Sequence, residues 1–263
     1  MRIAICIKHV PVDSKVEIDP VTHNLIRNSA AGEINPCDKN AMEVVRRIKE
    51  ATGADVDAYT MGPEDAIRSL HYCLALGADK AYLLSDKAFA GGDTLATARV
   101  LGEALKQKGP YDLVFTGAES NDGATGQVGP MIAQYLGIPD VAEAIEVKAE
   151  DDKTIKVDKK VEGSTYHLTV KTPVLLTVPF GANEHELPTL RNQVAANQHE
   201  IITITNKELG LDENLIGKKG SLSVVTDTVK NQEAQTAERI TGSPKEIAAK
   251  ITELISERRK ANV

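Results

Sequence analysis

An α/β fold with a parallel, helix-covered sheet is what this sequence predicts, and three observations predict it. Short, largely apolar runs at residues 3–7, 81–85 and 113–115 read as strands buried on both faces, and residues 55–61 read as a further strand. Between them lie stretches with apolar residues on one helical face, several of them closed by glycine, as at Gly53 and Gly77. Strands alternating with helices imply right-handed βαβ crossovers and hence parallel pairing. The sheet is Rossmann-like, but the dinucleotide fingerprint Gly-x-Gly-x-x-Gly is absent after the first strand.

Taken in order, residues 3–7 form the first strand, and Lys8-His9-Val10-Pro11 leaves the sheet because Pro11 cannot continue the ladder. Residues 16–19 and 24–27 flank residues 20–23 as a small hairpin excursion. Asn35-Pro36-Cys37-Asp38 starts a helix: Asn35 caps it, Pro36 suits the first position and Asp38 favours the positive end. Ala41, Val44, Val45 and Ile48 are its buried stripe. A strand at 55–61, a helix at 66–76 and a strand at 81–85 follow. Gly91-Gly92-Asp93-Thr94 then leads into a helix over 95–106, capped by Asp93 or Thr94. After the 113–115 strand, residues 131–136 open a helix stopped by Gly137. Short strands within 144–178 are expected to extend the sheet antiparallel. Residues 201–226 show apolar islands without sustained periodicity, and a segment of that kind buries little of itself. Residues 244 onward form a terminal amphipathic helix with Ile247, Ile251, Leu254 and Ile255 on one face. The division that results is an α/β domain over 1–180 and a C-terminal arm over 181–263 that packs on a partner subunit.

The functional signal is concentrated in Thr116-Gly117-Ala118-Glu119-Ser120-Asn121-Asp122-Gly123-Ala124-Thr125-Gly126-Gln127-Val128-Gly129-Pro130. Strand, glycine-rich loop and helix N-terminus together form an anion site, because unpaired N–H groups and the helix dipole converge there. Glycines after a strand can also do no more than turn the chain. Asp122, Thr125 and Gln127 favour the ligand reading, since they add groups able to bind ribose and phosphate. If the strands are parallel, residues 6–9 share the same carboxyl edge, where ligands of open α/β sheets bind. Lys8 could then face a phosphate. The second glycine loop, with Asp93 and Thr94, either lines this crevice or is simply a tight connection.

Composition narrows the classes. A net charge of −7 and 3% aromatic residues without tryptophan argue against a nucleic-acid surface. Cys6, Cys37 and Cys73 have no Cys-x-x-Cys spacing and read as small buried hydrophobes in a reducing, cytoplasmic setting. The six histidines show no metal spacing, no apolar run reaches the ~20 residues of a membrane helix, and no nucleophile elbow or P-loop occurs. A bound cofactor is therefore expected to carry whatever chemistry takes place.

The sequence resembles the β subunits of electron-transfer flavoproteins. The resemblance rests on Cys6-Ile7-Lys8-His9-Val10-Pro11, Ile34-Asn35-Pro36-Cys37-Asp38, Met61-Gly62-Pro63, Leu74-Ala75-Leu76-Gly77-Ala78-Asp79, Gly92-Asp93-Thr94-Leu95-Ala96-Thr97 and the loop Asp122–Pro130, all in order. It implies an adenine-nucleotide α-hydrolase-like fold, an α-subunit partner carrying FAD, and an adenine nucleotide on this chain. The matching positions are Cys6, Asn35 and Met61 with Ser120, Asn121, Asp122, Gly123, Ala124, Thr125, Gly126, Gln127 and Val128; Lys8, Asp93, Thr94 and Thr97 stand in the neighbouring motifs. In respiratory members the nucleotide is AMP. In electron-bifurcating members of anaerobes it is a second FAD beside an NADH site. Gln127-Val128-Gly129-Pro130 and Ile216-Gly217-Lys218-Lys219-Gly220-Ser221 resemble the bifurcating branch. That branch takes electrons from NADH and sends them to a low-potential acceptor such as ferredoxin and, through the α-subunit FAD, to a flavin-dependent dehydrogenase. Val12 stands where the family commonly has Asp, and Ala124 and Gly126 replace its more usual Asp and Ala. The family's dehydrogenase-recognition loop corresponds to Pro188-Thr189-Leu190-Arg191-Asn192-Gln193-Val194, with Leu190 as apolar anchor and Arg191 beside it. A rival from another class is a non-redox ATP-binding module like the universal stress proteins.

Overall fold

The first strand, β1 (Arg2–Ile7), lies at the middle of the sheet, and its side-chain alternation explains why. Ile3, Ile5 and Ile7 belong to one buried cluster with Val44, Val45 and Ile48, while Ala4 and Cys6 belong to another with Leu101, Ala104 and Val114. Successive strand residues point to opposite faces, so a wholly apolar strand needs cover on both. The structure, a computed structural model, describes residues 1–12, 17–18, 25–26, 32–151, 153–223, 226 and 239–261.

The chain continues through β2 (His9–Pro11), β3 (Glu17–Ile18), β4 (Leu25–Ile26) and β5 (Gly32–Ile34). β2 pairs antiparallel with β5, and β3 with β4, so the excursion away from the main sheet carries the expected hairpin pairing. Val16, Asp19, Asn24, Arg27 and residues 20–23 lie outside the described residues. Next come α1 (Pro36–Thr52), β6 (Asp55–Met61), α2 (Ile67–Ala75), β7 (Lys80–Leu84), α3 (Thr94–Lys108), β8 (Leu113–Gly117) and α4 (Val128–Leu136). α1 begins at Pro36 and ends where Gly53, at φ 70°, donates its N–H to the Lys49 carbonyl at 2.7 Å. Such a left-handed stop favours glycine.

β9 (Asp140–Val141), β10 (Ala144–Ala149), β11 (Thr154–Val161), β12 (Ser164–Lys171) and β13 (Val174–Val178) follow. The chain then forms α5 (Leu190–Ala196), β14 (Ile202–Ile204), α6 (Asn206–Leu209) and α7 (Gly217–Gly220). The main sheet has the order β14-β7-β6-β1-β8-β13-β9, with every pair parallel. From β1 the chain winds outward through β6 and β7, and α3 then carries it back to β8 on the other side. The strand order reverses between β1 and β8, and a crevice opens there at the carboxyl ends of the strands.

The expectation that strands within 144–178 extend this sheet antiparallel is corrected. β10, β11 and β12 form a separate three-stranded antiparallel sheet, while β13 lies inside the main sheet, parallel to β8. Burial explains the division. β13 is buried at all five positions and needs cover on both faces, whereas β11 buries Ile155 and Val157 and exposes Lys156 between them. Residues 201–223 also bury more than their pattern suggested. β14 pairs with β7 at the sheet edge, and Ile204, Leu209 and Ile216 are buried.

The chain divides into two units, Met1–Val225 and Thr226–Val263. In the second, α8 (Pro244–Ala261) starts where the Ser243 N–H donates to the Glu246 carboxylate at 2.8 Å and the Glu246 N–H donates back to Ser243 Oγ at 3.4 Å. Its Ile251, Leu254 and Ile255 are exposed. Among the described residues no helix is long and apolar enough to cross a membrane.

Candidate functional site

The loop between β8 and α4 is held in place by residues that arrive from three other parts of the chain. From the end of β1, Lys8 Nζ lies 2.5 Å from Asp122 Oδ1 and 3.1 Å from Ser120 Oγ. Asp122 keeps only 8% of its side chain exposed and Lys8 38%, so a sheltered carboxylate paired with a half-exposed lysine braces the loop. From the entry to α1, Asn35 Nδ2 donates to the Glu119 carbonyl at 2.8 Å, and the Asn121 N–H donates to Asn35 Oδ1 at 3.0 Å. Asn35 stands at the N-cap position of α1 but makes no side-chain cap bond, because its amide is committed to the loop. From the start of α3, Thr94 Oγ1 donates to Gln127 Oε1 at 2.8 Å.

Asp38 is a residue whose role the sequence reading missed. Its buried carboxylate accepts the Lys8 N–H at 2.6 Å and the Gly117 N–H at 2.9 Å, and so joins the ends of β1 and β8 to the first turn of α1. Burial pushes its carboxyl up to about 7, against the opposing pull of the Lys8 and Gly117 N–H groups and the Asn35 side chain. The need for glycine at 117 follows from this contact, since a Cβ there would sit 2.2 Å from Asp38 Oδ1. The sequence signal was an aspartate two residues after the helix-opening proline. That pattern also fits a plain helix-dipole contact, so it could not reveal the cross-strand bonds.

Above these braces the loop is open. Asn121 and residues 123–127 are exposed, Ala124 has φ 45° and Gly126 φ 63°. The backbone N–H groups of Gly126, Gln127 and Val128 carry no hydrogen bond among the described residues, and they stand at the positive end of α4. Thr125 is exposed beside them. A group with several acceptor oxygens satisfies such donors, and a phosphate is the natural one. The exposed Gly123, Ala124 and Gly126 leave the loop low enough for close approach of a ligand backbone.

Beside the loop lies a cavity of about 300 Å³ at the carboxyl end of β13, lined among others by Cys37, Glu119, Gly126, Glu143, Thr177 and Phe180. Glu143 holds φ 62° there, and its N–H donates to Thr177 Oγ1 at 3.2 Å. Left-handed backbone at a non-glycine residue is strained, and such strain clusters at binding sites. Two of the described residues with this strain, Ala124 and Glu143, adjoin the loop or cavity, while Glu162 turns the β11–β12 hairpin.

The remaining expected residues are placed as follows. Cys6 is buried under the crevice at the end of β1, and burial pushes its thiol far up, so it is an inert packing group. Met61 is half-buried at the end of β6 and packs on the cluster that contains Cys6. Thr97 is half-buried in the first turn of α3, its N–H donating to the Asp93 carbonyl at 3.0 Å. Asp93 caps α3 through the Ala96 N–H at 3.0 Å, and its other oxygen turns toward residues 222 and 223. Leu190 and Arg191 lie apart from the crevice in α5, where Thr189 caps the helix and Leu190 is 76% exposed. The three cysteines are free and buried.

The chain matches the model of the electron transfer flavoprotein domain over residues 22–209. It is 42% identical to an electron transfer flavoprotein subunit beta of Thermoanaerobacterium thermosaccharolyticum, covering 98% of this chain and 99% of the relative. A protein of the same description from Clostridium acetobutylicum is 39% identical, with 98% of each chain covered. The caffeyl-CoA reductase-Etf complex subunit CarD of Acetobacterium woodii is 36% identical, over 98% of this chain and 99% of that one.

Proposed function

The chain belongs to the electron transfer flavoprotein family as a β subunit, and from that premise we propose that its crevice at the ends of β1 and β8 holds the adenine nucleotide of FAD. The observation that carries the reading is the free N–H cluster of Gly126, Gln127 and Val128 at the start of α4. These donors receive phosphate oxygens, while Asn35, Lys8 and Thr94 keep the loop in the conformation that presents them. Asn121 and Thr125 supply exposed polar groups for the ribose.

One observation favours FAD over AMP: the cavity beyond Gly126 offers room beside the loop for a ligand larger than a mononucleotide. Bound there, FAD supplies two-electron acceptance from NADH and one-electron delivery, to a low-potential acceptor such as ferredoxin and through an α-subunit FAD to a partner flavin dehydrogenase. The protein's own task is to bind, orient and shield that cofactor. α5 is the dehydrogenase-facing element: Leu190 is presented outward by a helix whose Asn192 Nδ2 reaches the Ala75 carbonyl at 3.3 Å and whose Ala196 is buried. Of the expected 181–263 arm, the stretch from Thr226 onward, with the exposed apolar residues of α8, is the part that packs on the α subunit, while residues 202–216 pack on their own unit.

The test is to co-express this chain with its α subunit, release the nucleotides with acid and count them. Two FAD and no AMP per heterodimer are expected. One FAD and one AMP would make the protein a plain electron shuttle and end the bifurcation proposal.

A further inference from the structure

Asp93 stood among the residues expected at the nucleotide, but its carboxylate is already spoken for by backbone. One oxygen accepts the Ala96 N–H at 3.0 Å. The other accepts the N–H groups of Leu222 at 2.8 Å and Ser223 at 3.0 Å. The Asp93 N–H in turn donates to Ser221 Oγ at 2.8 Å, whose hydroxyl donates to the Gly217 carbonyl at 2.9 Å. Burial pushes the carboxyl up, yet the Ala96, Ser223, Leu222 and Leu95 N–H donors hold it below the usual carboxylate range.

The neighbouring backbone is shaped for the same contact. The Lys218 N–H donates to the Ala90 carbonyl at 3.0 Å, and a Cβ on Gly217 would lie 2.1 Å from the Ala88 carbonyl oxygen. A Cβ on Gly92 would meet Gly217 Cα at 3.3 Å. Arg99 Nη1 adds a bond to the Leu215 carbonyl at 2.9 Å, and Ile216 is buried beneath. The second glycine loop is therefore a socket for residues 215–223. That segment is the last part of the chain before the unit that begins at Thr226.

We propose that Asp93 is a positioning residue for the C-terminal arm: its carboxylate latches the backbone of Leu222 and Ser223 and fixes the point from which the arm leaves the nucleotide-binding unit to engage the α subunit. The inference rests on the reading of the C-terminal segment as a partner-binding arm. A flexible departure point must be ordered when the partner binds, and a latch that orders it beforehand removes that cost from association. Thr94, the next residue, reaches Gln127 in the nucleotide loop, so one junction touches both the crevice and the base of the arm.

The experiment measures α-subunit affinity, nucleotide content and hydrogen exchange of residues 244–261 in the full-length heterodimer. Asp93→Asn keeps an amide oxygen to cap α3 but places a donor where the latch needs an acceptor. Leu222→Pro removes one latch donor without touching α3. Leu222 is 81% exposed, and Ser221 before it has ψ 130°, which a following proline accepts. Either variant is expected to weaken α-subunit binding about tenfold, the scale of one lost charge-assisted hydrogen bond, with nucleotide content unchanged. Loss of nucleotide with undiminished α-subunit affinity would overturn the latch and return Asp93 to the cofactor site. If residues 244–261 gain no protection in the native heterodimer, the arm reading fails. If they gain it equally in native and Asp93→Asn proteins at equal affinity, the latch alone fails.

Discussion

Two glycine loops follow buried strands in this protein and lead into helices, one at residues 117–129 and one at residues 91–92. In the first, glycine at 126 has φ 63° and only the Ala118 carbonyl within reach of a Cβ, at 3.6 Å, and the donors that follow it are open. In the second, Gly91 and Gly92 press against Lys218 and Gly217 of the same chain, and the neighbouring aspartate is saturated by backbone. The same local signal thus serves an open site in one place and an internal socket in the other. What stands opposite the loop decides its use.

Substitutions can sharpen that contrast, and the largest effect is expected at the socket. Gly217→Ala sets a Cβ 2.1 Å from a carbonyl oxygen at φ 54°, and should cost about 3 kcal/mol in urea unfolding. A loss below about 1 kcal/mol would mean that the socket yields easily and that the two loops are alike.

Next in size is Asp38→Asn, which leaves one of two buried backbone N–H groups facing an amide donor. A loss of about 2 kcal/mol is expected near neutral pH. Its pH dependence carries a definite sign. Asp38 is raised in the folded protein to about 7, above its unfolded value, so the folded state binds the extra proton. Its contribution is fully present below the unfolded value near 4, falls as pH rises toward about 7 and is level above that. Denaturation of native and Asp38→Asn proteins across that range should show this slope only in the native chain. An identical slope in both would assign it elsewhere.

Gly126→Ala comes third. It meets no atom closer than 3.6 Å, so only the left-handed backbone opposes it, and about 1 kcal/mol of stability should go. Nucleotide retention should fall more visibly than stability, because the methyl enters the open face. Smallest is Thr94→Val, which removes an exposed side-chain bond to Gln127 and should change stability by about 0.5 kcal/mol or less. Equilibrium unfolding together with nucleotide retention would separate these two effects at both positions.

The sequence by itself determined the elements whose cause is local. β1 follows from its uninterrupted apolar run and α1 from Pro36 and Gly53 at its two ends, and the cap of α3 was narrowed to Asp93 or Thr94, because periodicity, capping and left-handed turns depend on residues a few positions apart. The glycine loop after β8 was legible for the same reason as a connection between a buried strand and a helix start, the placement on which its proposed anion site rests. Only the tertiary structure decided that β13 enters the parallel sheet, that Asp38 ties Gly117 across 79 residues, and that Asp93 answers to Leu222 across 129. A hydrogen bond over such separations exists because the sheet order brings two chain segments together, and no short stretch of sequence carries the strand order.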